Sequence, residues 1–500
     1  MPKKYRSQNP NNPHFARYLS MMDKNDVMRY LSTILLLLAT INATAQGLSF
    51  EMAYNEMIEN NLDLRAAREG VEIAHNELRA AQGLRYPNID FVGGYTLMQR
   101  DLKIDLGSAK NSLANATQNI IDKGISTGFI TPNIAELIGS QLSPLLAADW
   151  GYTLQKRSVI LGAMTLTQPL YMGGSINAAI RTAEIAKHSA EYQLQALTNA
   201  LTTELVEYYY GAILAECALE LSQKVVKGIE SHLYDAEALE QEGIIAHSEV
   251  LYIKYKLSEA ERELYAAESR LKLAREALSK ILNRECSEIL TDRIFIVNSI
   301  YDIDYYRESA SNINPITLSA RGNIALSEQG IKIARAALLP EIVAMGGGVV
   351  ASHNLSDLIP RWSIGIALRL RLFDGLRKEQ QLIAAQRRND ASFTIAESVD
   401  SNIVLLTEQE YYNTINSITN TCKLESSITF ARSYLEAKRE GFNEDITPAS
   451  ELIDAELELS AAELKRLASA FEFCKSLARL LEAAGLSSTF EEYKAKAIFL

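Results

Sequence analysis

The stretch WSIGIALRLRLFDGLRKEQQLIAAQRR, Trp362 to Arg388, begins with the pattern of a strand and ends with the pattern of a helix. Apolar residues alternate in its first part with small or charged ones, which is the period of two of a strand whose two faces differ. The apolar residues are Ile364, Ile366, Leu368, Leu370 and Leu372. Arg369 and Arg371 lie on the other face. An edge strand of a soluble sheet fits this pattern, and so does a membrane-barrel strand with its arginines toward a wet lumen.

The same strand-to-helix junction occurs a second time, in VILGAMTLTQPLYMGGSINAA, Val159 to Ala179. The helical segments before the strands also repeat. Residues 61–87 and 314–340 align without a gap at a constant offset of 253 residues, and both end in a proline followed by a strand-like run. Self-similarity at a fixed offset indicates an internal duplication. The sequence therefore predicts a mainly α-helical protein with a small β part, built from two repeats.

Length and composition exclude several classes of protein. A chain of 500 residues is too long for one typical compact core, and its formal net charge of −12 excludes nucleic acid as the expected partner, since phosphate binding requires a basic surface. The part of the chain after the leader contains no apolar stretch long enough for a membrane-spanning helix. A helical membrane protein is therefore not expected.

Residues 1–45 are interpreted as a leader. Within it, residues 28–45 have the parts of a signal peptide: Arg29, an apolar run from Leu31 to Ile41, and the cleavage pattern Ala43-Thr44-Ala45. The exported chain is expected to begin near Gln46. Because position 46 is not a cysteine, no lipid is expected at the new terminus.

The remaining chain divides into a first repeat (46–283), a linker (284–313), a second repeat (314–485) and an unassigned tail (486–500). The first repeat is predicted to contain a helix at 48–85, a strand at 88–97, an insertion at 98–157, a second strand, and helices at 174–243 and 248–283. The insertion is interpreted as an outward loop with some helix over residues 109–121, and a lid is the alternative. The linker has one short strand candidate, at 294–297. The second repeat is predicted to contain a helix at 314–339, strands at 341–350 and 362–372, and helices at 375–443 and 448–484.

The last helix of the first repeat has an apolar seam whose steps alternate between three and four residues. Its members are Val250, Ile253, Leu257, Ala260, Leu264, Ala267, Leu271, Ala274, Leu278 and Ile281. A period of 3.5 predicts a left-handed coiled coil. Each long helix has about seventy residues, or roughly 105 Å, and two short helices placed end to end would match it. Four strands per chain cannot close a barrel in lipid, whereas three chains would supply twelve.

No catalytic, cofactor or metal site is expected. The six histidines are scattered and the four cysteines have no metal-like spacing. Gly346-Gly347-Gly348 lacks the Lys and Ser/Thr of a phosphate loop, so close backbone packing in a sheet is the better interpretation. Two functions remain open on these grounds: a passive transport conduit, and an exported coiled-coil scaffold without a pore.

The duplicated set of marks resembles the TolC family of outer-membrane efflux and secretion channels. The marks are LSFEMAYNEMIENNLDLRAA (48–67), the joints QPLYMGG (168–174) and RLFDG (371–375), and the turns EGIIAHSEVL (242–251) and EGFNEDITPASELIDA (440–455). The resemblance implies a homotrimer with a 12-stranded barrel in outer-membrane lipid and an α-helical tunnel through the periplasm. It also implies a periplasmic adaptor (membrane fusion) protein and an inner-membrane pump of RND or ABC type. The chain would then be the exit duct of a tripartite efflux or type I secretion system.

The two turns are the candidate docking sites for the adaptor. Gly243 and Gly441 are predicted to end the two long helices, and each is followed by a polar turn and a new helix start. A plain helical hairpin has the same pattern. The docking residues suggested by the resemblance are Gly243, Ala246, Ser248, Gly441, Ala449 and Ser450.

Glu451 and Asp454 are the candidate constriction of the tunnel. They follow a helix start near Pro448, and their spacing of three puts them on one face, away from the seam residues Ile453 and Leu457. Acids near a helix N-terminus are also favoured by the helix dipole alone. The family resemblance carries aperture carboxylates onto these two positions.

The same resemblance places an arginine that helps lock the closed tip where this chain has Thr447. The carboxylate with which that arginine would pair is retained as Glu249. A lock built on other residues is therefore expected.

Overall fold

The computed structural model describes residues 47–444 and 446–499. The leader, with its signal peptide, and the expected new terminus at Gln46 lie outside the described residues. The helices are α1 Phe50–Asn60, α2 Leu62–Gly83, α3 Gly107–Ser126, α4 Pro132–Ala147, α5 Ser175–Gln241, α6 His247–Leu282, α7 Ile303–Ile313, α8 Pro315–Ala336, α9 Arg377–Asn443, α10 Ala449–Ala484 and α11 Phe490–Lys494. The strands are β1 Asn88–Leu97, β2 Leu102–Asp105, β3 Gly151–Gln155, β4 Ser158–Met172, β5 Phe295–Ile296, β6 Glu341–His353, β7 Trp362–Arg369 and β8 Ile498–Phe499.

The chain forms two compact units. The helical unit comprises His188–Arg321 and the described parts of Met1–Glu72 and Thr394–Leu500, and the strand unit comprises Ile73–Lys187 and Gly322–Phe393. The two long helices, α5 and α9, have 67 residues each, and the two helices that follow them, α6 and α10, have 36 each. All four begin and end within two residues of the bounds that the sequence predicts.

The coiled-coil seam of α6 is buried as its period predicts. Its buried members are Val250, Ile253, Ala260, Ala267, Leu278 and Ile281. Near the start of α6, the seam packs with Ile453 and Ala449 of α10 and with Val226 and Ile229 of α5. The apolar contacts that hold these helices together are therefore the ones that the spacing specifies.

The helix predicted over 48–85 is interrupted. Asn61 has extended backbone angles, and its side-chain oxygen accepts hydrogen bonds from the amides of Asp63 and Leu64 at 2.9 and 3.2 Å. Its side-chain NH₂ donates to the carbonyl of Ile281 at 3.0 Å. Asn61 therefore caps the start of α2 and ties it to the end of α6.

Asn314 repeats this arrangement at the offset of 253 residues. Its oxygen accepts from the amides of Ile316 and Thr317 at 2.8 and 3.3 Å, and its NH₂ donates to the carbonyl of Ala483 at 2.8 Å. Both asparagines are buried. A buried asparagine stays favourable only if its polar atoms are paired, so the two joints between short helices are specific contacts.

The strand unit contains a four-stranded antiparallel sheet in the order β1-β4-β6-β7. The insertion between β1 and β4 contains the helices α3 and α4 and the two paired strands β2 and β3. α3 covers the helical piece expected at residues 109–121, whereas α4, β2 and β3 were not predicted. Within the described residues, no helix is both long and apolar enough to cross a membrane.

The linker and the tail meet in the aromatic core of the helical unit. The strand expected at 294–297 is β5, and it pairs with β8 of the tail, which the sequence left unassigned. Around β5 pack the rings of Phe50, Tyr209, Tyr210, Phe295 and Phe490. The hydroxyl of Tyr209 donates to the carbonyl of Leu48 at 2.7 Å, which fastens the start of the described chain to α5.

Candidate functional site: the two helical turns and the last strand

The α5–α6 turn ends its helix as predicted. Gly243 has a φ of +71°, which is unstrained only for glycine. The amide of Gly243 donates to the carbonyl of Glu240 at 2.9 Å, and the amide of Ile244 donates to the carbonyl of Leu239 at 2.9 Å. This pair of bonds is a Schellman motif, so Gly243 is the residue that allows α5 to stop and the chain to reverse.

The α9–α10 turn differs from the prediction. Gly441 does not end α9, because the helix continues to Asn443. A Cβ at Gly441 would lie 2.3 Å from the Thr447 hydroxyl oxygen, so any larger residue here would displace the Thr447 side chain. The carbonyl of Gly441 also accepts the amides of Ile446 and Thr447 at 2.8 and 3.0 Å. Pro448 is the N-cap of α10, and Ala449 is its first residue.

The two turns line one cleft of about 890 Å³. Of the candidate docking residues, Ala246 and Ser248 are exposed. Ala449 is buried and packs in the core cluster of Val250 and Ile453, so it belongs to the floor of the hairpin and not to its surface. The side chain of Ala449 is already covered in the single chain, so a docking role of Ala449 stays a prediction.

Glu249 has a role within the chain. Its carboxylate accepts the amide of Ser450 at 3.1 Å. The N-cap residue Pro448 has no side-chain acceptor for the free amides of the first turn of α10, and Glu249 of α6 supplies one. The acid that the resemblance assigns to the lock thus caps the neighbouring helix.

Glu451 and Asp454 lie on an exposed face of α10, as their spacing predicts, with about half of each side chain accessible. Each is paired within its own chain. Glu451 forms an ion pair with Lys438 of α9. Asp454 accepts the Tyr252 hydroxyl at 2.9 Å and lies 3.1 Å from the Lys256 ammonium, both on α6.

The sequence analysis missed these lysines. Lys256 lies over the ring of Tyr252 and Lys438 over the ring of Tyr434, at 5.3 and 5.4 Å from the ring centres. In both hairpins the tyrosine precedes the lysine by four residues, a helical spacing that the sequence could have revealed.

Both lysines remain charged at neutral pH. Partial burial, the largest single influence on Lys256, lowers its pKa, but the hydrogen bonds to Asp454 and Tyr252 together raise it. The pKa of Lys438 is raised first by its hydrogen bond to Glu451. The two acids therefore form two ion pairs in one chain, with a net charge near zero.

A third contact joins three helices. The two carboxylate oxygens of Glu456 lie 3.2 Å from His232 Nε2 of α5 and 3.2 Å from the Arg439 guanidinium of α9. The pKa of the Glu456 carboxyl is lowered, first by the hydrogen bond with His232 and also by Arg439, against the opposing effect of burial.

Replacement of Glu456 by glutamine should lower the melting temperature in a pH-dependent way. A carboxyl whose pKa is lower in the folded state contributes stability above its ordinary pKa of 4.5 and loses that contribution as pH falls through the lowered value. We expect a loss of about 1–2 kcal/mol at neutral pH, shrinking as pH falls below the ordinary pKa of the carboxyl. Circular-dichroism melts of both proteins between about pH 7 and pH 3 measure this. A deficit that is constant with pH would contradict the assigned role of the charge.

Of the two arginines in the stretch that decides the fold, Arg369 lies in strand β7. Arg369 is the last residue of β7 and pairs across the sheet with Glu341, their side chains 3.7 Å apart. Arg371 lies beyond the end of the strand, which stops three residues earlier than predicted, at Arg369 and not at Leu372. The apolar face is fully accessible: Ile364 and Ile366 are 82% and 72% exposed. That the arginines face a lumen stays a prediction.

Residues 138–284 match a family model described as outer membrane efflux protein. The outer membrane protein TolC of Vibrio cholerae is 23% identical over 375 residues, which are 70% of this chain and 83% of that protein. The resemblance to the TolC family is confirmed. Two solved structures share the fold. A membrane protein from Pseudomonas aeruginosa has a TM-score of 0.69 and 15% identity, over 87% of this chain and 90% of that one. The open state of the Neisseria gonorrhoeae MtrE outer membrane channel has a TM-score of 0.68 and 16% identity, over 88% of this chain and 89% of that one.

These likenesses indicate an outer-membrane location with an extension into the periplasm, and the fold is that of the TolC-like channels, with a β-barrel part and a helical part. Of the two functions that the sequence leaves open, these likenesses support the transport channel. Proteins of this type are conduits and not enzymes.

Proposed function

We propose that three copies of this chain form one passive conduit, the exit duct of a tripartite efflux or type I secretion system. The observation that carries the proposal is the pair of outer strands in the sheet. β1 and β7 each have one edge that no described strand pairs. In lipid, unpaired backbone groups at such an edge are too costly, so the edges must be closed by another copy.

The strand directions permit this closure. All three pairings in the sheet are antiparallel, so β1 and β7 run in opposite directions. β7 of one copy can therefore pair antiparallel with β1 of the next. Two copies would give eight strands, a barrel whose interior side chains fill. Three copies give twelve strands, the next multiple of four, in a barrel wide enough for a passage.

The two faces of the sheet support the same assembly. Large apolar side chains such as Phe91, Tyr95 and Ile364 are exposed in the single chain, which suits contact with lipid. The opposite face of β7 holds Ser363, Gly365, Ala367 and Arg369, which suits a wet interior.

The adaptor is proposed to bind at the cleft between the two turns, with a pump of RND or ABC type reached through it. The cleft supports this because it is formed jointly by both hairpins at their exposed end and offers Ala246, Ile244 and Glu242 at its margin. An adaptor seated there would contact both turns of a chain at once.

The assembly is tested by light scattering in detergent. We expect three times the mass of one exported chain, with conductance steps when the same preparation is added to planar bilayers. A folded particle with the mass of one or two chains would contradict the proposal, because four or eight strands leave no conduit.

A further inference from the structure

An apolar groove of about 600 Å³ runs along β6 on the apolar face of the sheet. Two rows of directly paired residues form it: Leu166, Gly346 and Ile364 in one, and Met164, Gly348 and Trp362 in the other. In each row a glycine of β6 lies between two large side chains, one from β4 and one from β7. The walls are thus apolar side chains of two strands, and the floor is bare backbone.

The backbone does not require glycine at the floor. Gly346 and Gly348 do not have positive φ angles, and a Cβ at these positions would meet nothing closer than 3.4 and 3.6 Å, which is ordinary contact. Gly347, on the other face, is different, because a Cβ there would lie 3.1 Å from the Met164 carbonyl. Close packing therefore explains only the middle glycine of the three. Glycine inside a strand costs stability, so the other two need another reason.

A second pair of glycines on the same face shows how such a gap is normally closed. Gly93 and Gly162 are directly paired on β1 and β4. The ring of Phe91 covers both: a Cβ at Gly162 would lie 3.3 Å from the ring, and one at Gly93 would lie 3.4 Å from it. At Gly346 and Gly348 the nearest side-chain atoms come from the neighbouring strand β7, Ile364 Cγ1 at 3.4 Å and Trp362 Cβ at 3.8 Å from a Cβ built there, and no aromatic ring of a described residue on the same face covers both glycines.

The geometry points to a binding site for one acyl chain of a membrane lipid in this groove. The apolar face belongs to a barrel in the outer membrane, so hydrocarbon is the surrounding medium, and the groove is continuous with that lipid-facing surface. Trp362 begins β7 directly after the β6–β7 loop, and the other end of β7 leads toward α9. Gly346 and Gly348 are the sixth and eighth of the thirteen residues of β6, so the groove lies near the middle of the strand.

A chain in the groove gains contact on three sides. Met164 and Leu166 would touch it from β4, Trp362 and Ile364 from β7, and the glycine backbone from below. A flat barrel wall offers contact on one side only, and dispersion energy grows with the number of close atoms. The lipid in the groove should therefore exchange more slowly than the bulk lipid. This inference requires only the barrel and its location, and not an adaptor or a pump.

Tryptophan fluorescence tests the site, since Trp362 is one of two tryptophans. The full-length protein with Trp150→Phe is reconstituted in phosphatidylcholine vesicles. A small fraction of the lipid in these vesicles carries brominated acyl chains, which quench tryptophan fluorescence on contact. We expect quenching about threefold above that expected from the bulk fraction of brominated lipid. Filling the groove with Gly346→Leu and Gly348→Leu should reduce it to the bulk value. Gly365→Leu, on the other face with open space around it, should leave it unchanged.

Quenching of the unfilled protein in proportion to the bulk fraction would overturn the site, whether or not the filled variant folds. Gly346→Ala is the milder variant and should give an intermediate value. Equal excess quenching in the filled and unfilled proteins would also refute the groove, because the preference would then belong to the barrel wall in general. Conductance of the same vesicles reports separately on the conduit.

Discussion

Planar bilayers containing the variant with Glu451→Ala and Asp454→Ala should lose most of the cation preference of the native channel. Block by trivalent cations from the periplasmic side should weaken on the order of tenfold. Three chains would place six carboxylates around one narrow mouth, and a ring of like charge concentrates cations. The expectation rests on the trimer and on the placement of these acids at its constriction.

Replacing the two lysines that pair with these acids should change cation selectivity in the opposite direction. Lys438 and Lys256 neutralise the two acids within each chain. Replacing both lysines by methionine should leave six unpaired carboxylates and strengthen both cation preference and trivalent block. Glu436→Ala removes one acid, as each substitution of the acid variant does, from an exposed position of α9, and it should alter neither property.

Unchanged selectivity in both the acid and the lysine variants would place the constriction elsewhere. The two acids would then be helix-start charges of α10 held by ordinary surface ion pairs, which contribute little to stability.

Complete loss of transport is the expected result of Ala246→Trp. Ala246 is exposed at the margin of the cleft between the turns, so an indole there would fill the space proposed for the adaptor without disturbing the core. A deletion strain is first tested with a panel of dyes and detergents, and a compound that accumulates in it becomes the probe. Cells that produce the variant should accumulate this probe as the deletion strain does, with a normal yield of trimer.

Two control variants are compared with Ala246→Trp. Ala246→Ser changes the size little and should transport normally. Ala449→Leu enlarges a buried residue of the same turn region and should cost about 1–3 kcal/mol of stability, so its effect should appear as a lower melting temperature and trimer yield. Normal transport by Ala246→Trp would remove the docking proposal while leaving the conduit in place.

The sequence by itself determined the elements of this protein. The 3.5 period between Val250 and Ile281 gave the buried seam of α6, and the alternation after Trp362 gave β7. These patterns succeed because a helix or a strand repeats the same environment at a fixed spacing, so burial imposes a visible period. The long helices, which contain no proline, and the end of α5 at Gly243, which has a positive φ, could also be predicted from the sequence. Each depends only on residues that are close together in the chain.

Only the tertiary structure decided which side chains meet across elements. Glu249 caps α10, Asp454 binds Tyr252 and Lys256, and Asn61 joins α2 to α6, each through a partner about 200 residues away. No local pattern encodes such a partner, because a single hydrogen bond or ion pair does not repeat along the chain. The open floor at Gly346 and Gly348 likewise depends on which strands flank β6. Strand order and helix pairing are set by the packing of the whole chain, and local spacing does not specify them.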